Sequence, residues 1–236
     1  YFDVPTYSMD VVTPSVTADL NEVSKYYVEY QLAELRGVVG FLERHTGKKL
    51  DLDRLSHCLE LGDQAWQLWW ECDEARQAVP SPMPSEDHYN AMVPGRFLAG
   101  TQEAVEFYAE LLQEIKDRVA NRMGVIEDER YRLLFAGGLP PWHTMWMFNY
   151  FETLGAVFVI ENAYRTFEPV HAYIPAHIKD PLERMAWRIF LRMTRNFEKA
   201  QKNSGHPTVE LLLDYIRRYG IDGMVFHATR SCRATT

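Results

Sequence analysis

The residues best suited to chemistry lie near the C-terminal end of the sequence, where Cys232 stands between Arg230 and Arg233. The apolar run 224–226 comes shortly before them and follows Gly223, as in a buried strand of a parallel sheet. Ligands of open α/β sheets bind just beyond the carboxyl ends of the strands. Neighbouring guanidinium groups favour the thiolate, the form of cysteine that binds metals and attacks electrophiles. Cys232 is therefore the first candidate for a chemical role.

Two other loops, at residues 137–143 and 161–168, are expected to leave the same edge of the sheet and to converge with the loop 227–233. In the first of them, Gly138 follows Gly137 and would let a ligand approach the backbone closely. The pair matches neither GxGxxG nor the Walker pattern, which argues against a nucleotide-phosphate site. The alternative is an ordinary turn before the proline pair that follows.

Four side chains in these loops are candidates for contact with a substrate, namely Trp142, His143, Glu161 and His227. The two histidines have the chemistry of acid/base groups or metal ligands, although a solvated loop histidine is the commoner outcome. Glu161 at a strand end suits contact with a substrate, and capping of a following helix is an equal alternative. Trp142 would contribute to an aromatic wall that excludes water. The sequence contains no nucleophile elbow, HExxH or CxxC motif, and it singles out no catalytic residue.

The other two cysteines, Cys58 and Cys72, are predicted to be core residues. They lie among Leu and Trp residues at three- and four-residue steps, on the apolar stripe of a helix predicted to start near Asp51. If that helix is continuous, the two cysteines are about 21 Å apart, at roughly 1.5 Å per residue. They could then not bind one cluster together.

The elements that must position these residues follow from periodicity and from Pro and Gly. Helices are predicted at 14–45, from about 51 onward, and at 97–121, 181–202 and 207–219. A proline-rich connector is predicted at 80–85, and apolar strands at 132–136, 156–160 and 224–226, with a short helix between the first two strands. This alternation predicts an α/β fold, with a parallel doubly wound (Rossmann- or flavodoxin-like) sheet domain after a helix-rich region.

The composition excludes several classes of protein. A formal net charge of -8 and 33 acidic residues argue against nucleic-acid binding. The sequence has no apolar stretch approaching the roughly 18–20 residues that a membrane span needs, so no membrane association is expected. Three cysteines do not form a disulfide framework, and we expect a cytoplasmic location.

The run from Phe226 to Arg233 resembles the segment of the 2-hydroxyacyl-CoA dehydratase and benzoyl-CoA reductase family that supplies a cysteine ligand to an iron–sulfur cluster. Four further pieces match in order and spacing: Asp3-Val4-Pro5, Val79-Pro80-Ser81-Pro82-Met83, the Gly-Leu-Pro-Pro-Trp loop, and Gly155-Ala156-Val157-Phe158-Val159 with Glu161. The similarity covers nearly the whole chain. The 79–83 connector and the Ala-Thr-Arg-Ser-Cys-Arg run look more similar to the benzoyl-CoA reductase side.

The resemblance implies two α/β domains with a [4Fe-4S] cluster between them. Residues 1–125 would be the end of an N-terminal α/β domain plus a helical region, and 126–236 the first part of a second α/β domain. Cys232 would be a cluster ligand, with Ser231 and Arg230 beside the cluster, where charge and hydrogen bonds tune its potential. Further ligands are expected outside this sequence, which then corresponds to an internal part of a subunit.

The function implied by the resemblance is that of an iron–sulfur subunit of an oxygen-sensitive, radical-type acyl-CoA enzyme. Reduction of benzoyl-CoA is the first interpretation, and a 2-hydroxyacyl-CoA dehydratase subunit is the alternative. A noncatalytic scaffold subunit, or a double-cubane reductase acting without CoA, would also keep the fold. The implied partners are an acyl-CoA substrate, a homologous family subunit and a separate ATP-hydrolysing iron–sulfur activator. The apolar surface predicted for the helices between residues 14 and 121 also favours a heteromer.

Overall fold

The structure is a computed structural model that describes residues 4–137, 142–164 and 166–228, and the side chain of His143 lies outside this description. The described helices, in chain order, are α1 (Leu20–Thr46), α2 (Leu52–Ala75), α3 (Ser85–Phe97), α4 (Gln102–Ala120), α5 (Trp146–Glu152), α6 (Pro181–Thr194), α7 (Phe197–Lys202) and α8 (Pro207–Arg218). The described strands are β1 (Tyr131–Gly137), β2 (Ala156–Glu161) and β3 (Gly223–His227). Short 3-10 turns occur at Trp142–Thr144 and His171–Tyr173.

The chain divides into two compact units. One contains the residues up to Leu59 together with Val170–Glu210, and the other contains Glu60–Pro169 together with the residues from Leu211 on. The predicted domain boundary at 125/126 stays a prediction. None of the described helices combines the length and the apolar character needed to cross a lipid bilayer.

The first unit is organised by the packing of α1 against α6. The Asp19 side chain caps the start of α1 by accepting a hydrogen bond from the backbone N–H of Asn21, and Gly47 ends the helix in a left-handed conformation at φ 69°. The buried residues between the two helices are Val28, Leu35, Ala186 and Phe190. Helix α1 therefore ends where the sequence predicts and begins six residues later than predicted, because residues 14–19 form the capped entry.

The second unit contains a three-stranded parallel sheet in the order β2–β1–β3. One face, which includes Leu134 and Val157, packs against Tyr215 on α8 and Tyr219 just after it. The opposite face, which includes Phe135, packs against aromatic residues of α3 and α5. Since helices cover both faces of a parallel sheet, the predicted α/β, doubly wound fold is confirmed.

Two predicted helices were wrong in their bounds. The helix predicted at 97–121 is α4, which begins at Gln102 after the Thr101 cap, and it is preceded by α3, which the sequence analysis missed. Helix α3 is only weakly amphipathic and contains Pro94, which hid its periodicity. The helix predicted at 181–202 is broken into α6 and α7 by Asn196, whose φ of 69° a continuous helix does not allow.

Candidate functional site at the carboxyl edge of the sheet

Arg76, immediately after α2, is the centre of a fully buried polar cluster. Its Nη1 and Nη2 atoms donate to the two carboxylate oxygens of Glu161, at 3.0 and 2.8 Å, in a bidentate pair at the end of β2. Nη1 also donates to Asp73 Oδ1 at 2.8 Å, Nη2 to Ser85 Oγ at 3.0 Å, and Nε to the carbonyl oxygen of Met83 at 3.3 Å. Each of the five N–H groups that a guanidinium carries is thereby used.

His88 and Thr166 complete this cluster, which we call the Arg76 cluster (Asp73, Arg76, Ser85, His88, Glu161 and Thr166). The Nδ1 atom of His88 is 3.0 Å from Asp73 Oδ1, and its Nε2 atom is 3.4 Å from Glu161 Oε1. The hydroxyl of Thr166 donates a short hydrogen bond to Asp73 Oδ2. The cluster therefore joins the end of α2, the start of α3 and the exit of β2.

The electrostatics of the Arg76 cluster favour its ionised state. Burial opposes the charged form of Glu161, but Arg76 and then His88 outweigh it, so the pKa of the Glu161 carboxyl lies below its usual value. Burial likewise opposes the charge of Arg76, and Glu161 and Asp73 reverse that effect and raise the pKa of the guanidinium. The pair is thus charged and mutually compensated away from water.

The same residues can be considered as a metal site. One potential ligand atom from each of Asp73, His88 and Glu161 lies within 4.8 Å of the others. However, Arg76 Nη1 already bridges Asp73 Oδ1 and Glu161 Oε1, so a fixed cation compensates the two carboxylates. A metal ion there would face that guanidinium at close range, and the arrangement fits a rigid ion-paired support better than a metal centre.

A second buried arginine links this support to the sheet. Arg132 on β1 is paired with Glu129 and donates through Nη2 to the carbonyl oxygen of Arg76 at 3.1 Å. Its Nε atom donates to the carbonyl oxygen of Tyr219 at 2.6 Å. The backbone carbonyl of Arg76 is therefore bonded to a residue of β1, and its guanidinium is bonded to a residue of β2.

The carboxyl edge above this support includes the point where the strand order reverses, between β1 and β3. A Cβ added to Gly137 would lie 2.5 Å from the carbonyl oxygen of His227, so only glycine allows the two strand ends to approach this closely. The N–H of Gly137 donates to Asn162 Oδ1 at 2.8 Å, which ties β1 to the exit of β2. Doubly wound sheets bind their ligands at such a switch point.

Three aromatic residues lie at this edge and form the group that we call the edge aromatics (Tyr89, Trp142 and Tyr164). Tyr89 on α3 is fully buried, with its ring centroid 5.7 Å from that of Trp142 in an edge-to-face contact. The ring of Tyr164 is 6.4 Å from that of Trp142. Trp142 and Tyr164 are 48% and 38% exposed, so the group runs from the interior to solvent.

Backbone strain accompanies the edge aromatics. Tyr164 has a φ of 58°, in the left-handed region that a bulky side chain rarely adopts. Residues held in such conformations are concentrated at ligand-binding and active sites. The strained turn directly follows Glu161 and Asn162, whose side chains are fixed by Arg76 and Gly137.

The structure brings Trp142, Glu161 and His227 to the same edge of the sheet, as the sequence predicts. The ring of His227 is 5.9 Å from that of Phe135, the β1 residue that is paired in register with Glu161. Glu161 is fully buried and bonded to Arg76, and the next regular element that the structure describes after it is the turn His171–Tyr173. Glu161 therefore does not cap a described helix, and its predicted contact with a substrate stays a prediction.

The remaining predicted site residues fall outside the described part of the chain. They are Gly138, Arg230, Ser231 and Cys232, together with the side chain of His143. Their predicted roles stay predictions.

The described cysteines do not fit a cluster site. Cys72 is buried among Met83, Ala91 and Leu112, and burial raises the pKa of its thiol to about 12, so it is not a thiolate at neutral pH. The prediction of a core residue is confirmed for Cys72 and was wrong for Cys58, whose side chain is only partly buried. Helix α2 runs without a break through both residues, so the two thiols are too far apart to share one cluster.

Four residues of this site were not predicted from the sequence, namely Asp73, Arg76, His88 and Tyr89. Arg76 continues the apolar stripe of α2 at helical spacing after Trp69 and Cys72, and a charged residue on such a stripe was the available signal. His88 and Tyr89 gave no comparable signal, because their partners come from distant parts of the chain.

The fold and site together define a class: a parallel doubly wound α/β protein whose sheet edge rests on a buried arginine–carboxylate cluster and carries a partly exposed aromatic group. A family model described as "2-hydroxyglutaryl-CoA dehydratase, D-component" matches residues 1–236, and the chain belongs to this family. The family resemblance seen in the sequence is thereby confirmed.

Individual relatives have related names. A benzoyl-CoA reductase subunit from Thauera aromatica is 29% identical over 227 residues, which are 90% of this chain and 50% of that protein. The (R)-phenyllactyl-CoA dehydratase alpha subunit of Clostridium sporogenes is 27% identical over 57% of this chain and 32% of its own length. The (R)-2-hydroxyglutaryl-CoA dehydratase alpha subunit of Acidaminococcus fermentans is 24% identical over 91% of this chain and 42% of its own length. The chain thus spans half or less of the length of these relatives.

Proposed function

We propose that this chain is part of an iron–sulfur subunit of an ATP-driven, radical-type acyl-CoA enzyme that reduces the aromatic ring of benzoyl-CoA. The observation that carries the proposal is the 29% identity to a benzoyl-CoA reductase subunit over 90% of the chain, within a family match over residues 1–236. The proposed partners are a homologous subunit and a separate ATP-hydrolysing iron–sulfur activator. The enzyme would be cytoplasmic and oxygen-sensitive.

The described residues have a definite part in this proposal. The acyl group of the thioester would lie at the carboxyl edge of the sheet against Trp142, with His227 and the loop residues Gly138 and His143 nearby. Glu161 would have to give up its bonds to Arg76 to contact the substrate directly, so we assign it to holding the exit of β2 in place. A rigid edge of this kind orients a substrate and keeps water away from it.

The cluster is assigned to Cys232, since Cys58 and Cys72 do not fit it. The chemistry that a bound [4Fe-4S] cluster supplies is electron transfer at low potential. Arg230 and Ser231 would donate hydrogen bonds around the Cys232 sulfur, and further ligands would come from outside this sequence.

The second candidate is a 2-hydroxyacyl-CoA dehydratase subunit, which is favoured by the names of the other two relatives. A scaffold subunit of the same fold is the noncatalytic alternative. The dehydratase would act on an acyl-CoA with a hydroxyl on the second carbon and eliminate water, whereas the reductase would consume electrons without losing a substituent.

Turnover by the full-length protein separates these candidates. The protein would be purified without oxygen, combined with its partner subunit, activator and ATP, and supplied with benzoyl-CoA or with a panel of 2-hydroxyacyl-CoA thioesters. We expect loss of the aromatic absorbance of benzoyl-CoA. Formation of an enoyl-CoA from the panel would establish the dehydratase instead, and inactivity with every thioester would support the scaffold.

The cluster assignment has its own measurement. In electron paramagnetic resonance of the reduced full-length protein, Cys232→Ser should abolish or convert the cluster signal, while Cys58→Ala and Cys72→Ala leave it intact. An unchanged spectrum for the Cys232 variant would contradict the assignment.

A further inference from the structure

The Tyr89 hydroxyl is a buried polar group without a hydrogen-bond partner among the described residues. The residue is 0% exposed. A buried donor left unpaired is costly, and native proteins keep such groups rarely, often because a ligand or a water completes them. The hydroxyl of Tyr89 therefore requires an explanation that the packing of the described residues does not supply.

Another buried tyrosine in the same unit shows the usual solution. Tyr108 on α4 is also 0% exposed, but its hydroxyl donates to the carbonyl oxygen of Ala91 at 2.7 Å and accepts from the N–H of Gly95 at 2.8 Å. The two tyrosines thus differ in one respect: the described residues satisfy the hydroxyl of Tyr108, and they do not satisfy that of Tyr89.

The surroundings of Tyr89 place it at the candidate site. Its ring contacts Phe135 near the end of β1, and it contacts Trp142, which is half exposed at the carboxyl edge. Burial, and then the carboxylate of Glu161 at the end of β2, raise the pKa of the Tyr89 hydroxyl above its usual value. The group is therefore a neutral hydrogen-bond donor in contact with Trp142, at the edge of the sheet where the acyl group is proposed to lie.

We propose that Tyr89 is a substrate-binding residue whose hydroxyl donates a hydrogen bond to the thioester carbonyl oxygen of the bound acyl-CoA. This inference rests on the proposed acyl-CoA function. The thioester carbonyl, an acceptor that every acyl-CoA carries, is the part of the acyl group that is bonded to the CoA sulfur. A donor beside Trp142 and Tyr164 would fix this carbonyl while those rings contact the rest of the acyl group. Tyr89 would select for an acceptor at this position, since an unpaired hydroxyl disfavours any ligand that lacks one.

The test compares Tyr89→Phe with Tyr108→Phe in the full-length protein with its partner subunit. Each variant removes one hydroxyl and keeps the ring. For Tyr89→Phe we expect an unchanged or higher Tm, because a buried unpaired group is removed, and benzoyl-CoA binding weakened by about 3- to 10-fold. For Tyr108→Phe we expect the reverse pattern, a lower Tm with unchanged affinity for benzoyl-CoA.

Several outcomes would overturn the inference, and they differ from failure of the proposed function. Equal affinity of the wild type and Tyr89→Phe for benzoyl-CoA would mean that water, not the substrate, is the hydrogen-bond partner of the Tyr89 hydroxyl. A Tm lowered as much as in Tyr108→Phe would mean that another group of the protein is its partner. Both outcomes are compatible with the proposed acyl-CoA function, but they contradict the proposal that Tyr89 donates a hydrogen bond to the thioester carbonyl. If the wild type binds neither benzoyl-CoA nor any 2-hydroxyacyl-CoA, the proposed function fails, and the inference fails with it.

Discussion

Arg76 and Glu161 are 85 positions apart in the sequence, and the guanidinium of one holds both carboxylate oxygens of the other at 2.8 and 3.0 Å with no exposure to solvent. This pair joins the end of a long helix to the exit of the strand that borders the candidate site. It explains how a helical segment and a sheet edge are kept in one arrangement.

Replacing Arg76 by Met should lower the free energy of unfolding by about 3–5 kcal/mol, because the charges of Glu161 and Asp73 are then buried without compensation. Chemical denaturation followed by circular dichroism measures this. The matched control is Arg217→Met, which removes an exposed arginine on α8 and should change stability little. Equal effects of the two variants would show that the buried pair is not important for stability.

The stability of the protein should depend on pH through Glu161. Because the folded-state pKa of this carboxyl lies below its ordinary value near 4.5, its contribution is complete above that value and is lost as the pH falls toward the folded pKa. The free energy of unfolding should therefore decrease on acidification below about pH 5, and Glu161→Gln should weaken this dependence. Denaturation midpoints measured between neutral and acidic pH test the sign.

Glu43 is the control for the pH experiment. Its pKa is also lowered, chiefly by the hydrogen bond from Lys49, but this pair is on the surface and screened by solvent. Glu43→Gln should leave most of the acid dependence in place. A Glu161→Gln curve parallel to the wild-type curve would contradict the assignment to Glu161.

The two described cysteines should differ in reactivity. The thiol of Cys72 is buried and its pKa is raised to about 12, while Cys58 is partly exposed. In labelling of the native protein with a disulfide reagent at neutral pH, Cys58→Ala should remove one reactive thiol, and Cys72→Ala should remove none. Loss of a rapidly labelled thiol in the Cys72 variant would mean that α2 opens easily or packs differently.

Gly137→Ala should destabilise the protein more than Gly47→Ala. Both glycines have positive φ, but a Cβ at Gly47 meets open space, so only the backbone cost of about 1–2 kcal/mol applies there. A Cβ at Gly137 would meet the backbone of His227 at 2.5 Å, and the ends of β1 and β3 would have to separate. Thermal unfolding of the two variants measures the difference, and similar Tm values would show that the strand ends adjust without cost.

The parallel doubly wound α/β fold and the family were predictable from the amino-acid sequence alone. Apolar runs such as 156–160 and the helical stripes are local patterns, and each reports on its own element without knowledge of its neighbours. The turn at Gly47, which ends α1 as predicted, is equally local, whereas the start of α1 was predicted six residues too early. The strand order also predicts Trp142, Glu161 and His227 at one edge of the sheet, because the carboxyl ends of parallel strands lie on the same side.

The contacts that these residues make depend on how the elements pack together, and the sequence did not predict them. The partners of Glu161 come from α2 and α3, and no local pattern encodes a pair separated by 85 positions. The weak amphipathicity of α3 hid both His88 and Tyr89, since their burial is produced by Trp69 and by the aromatic side of the sheet rather than by a stripe of their own. Burial and pairing are properties of the packed chain, and for that reason the Arg76 cluster and the unpaired hydroxyl of Tyr89 emerged only when the elements were assembled.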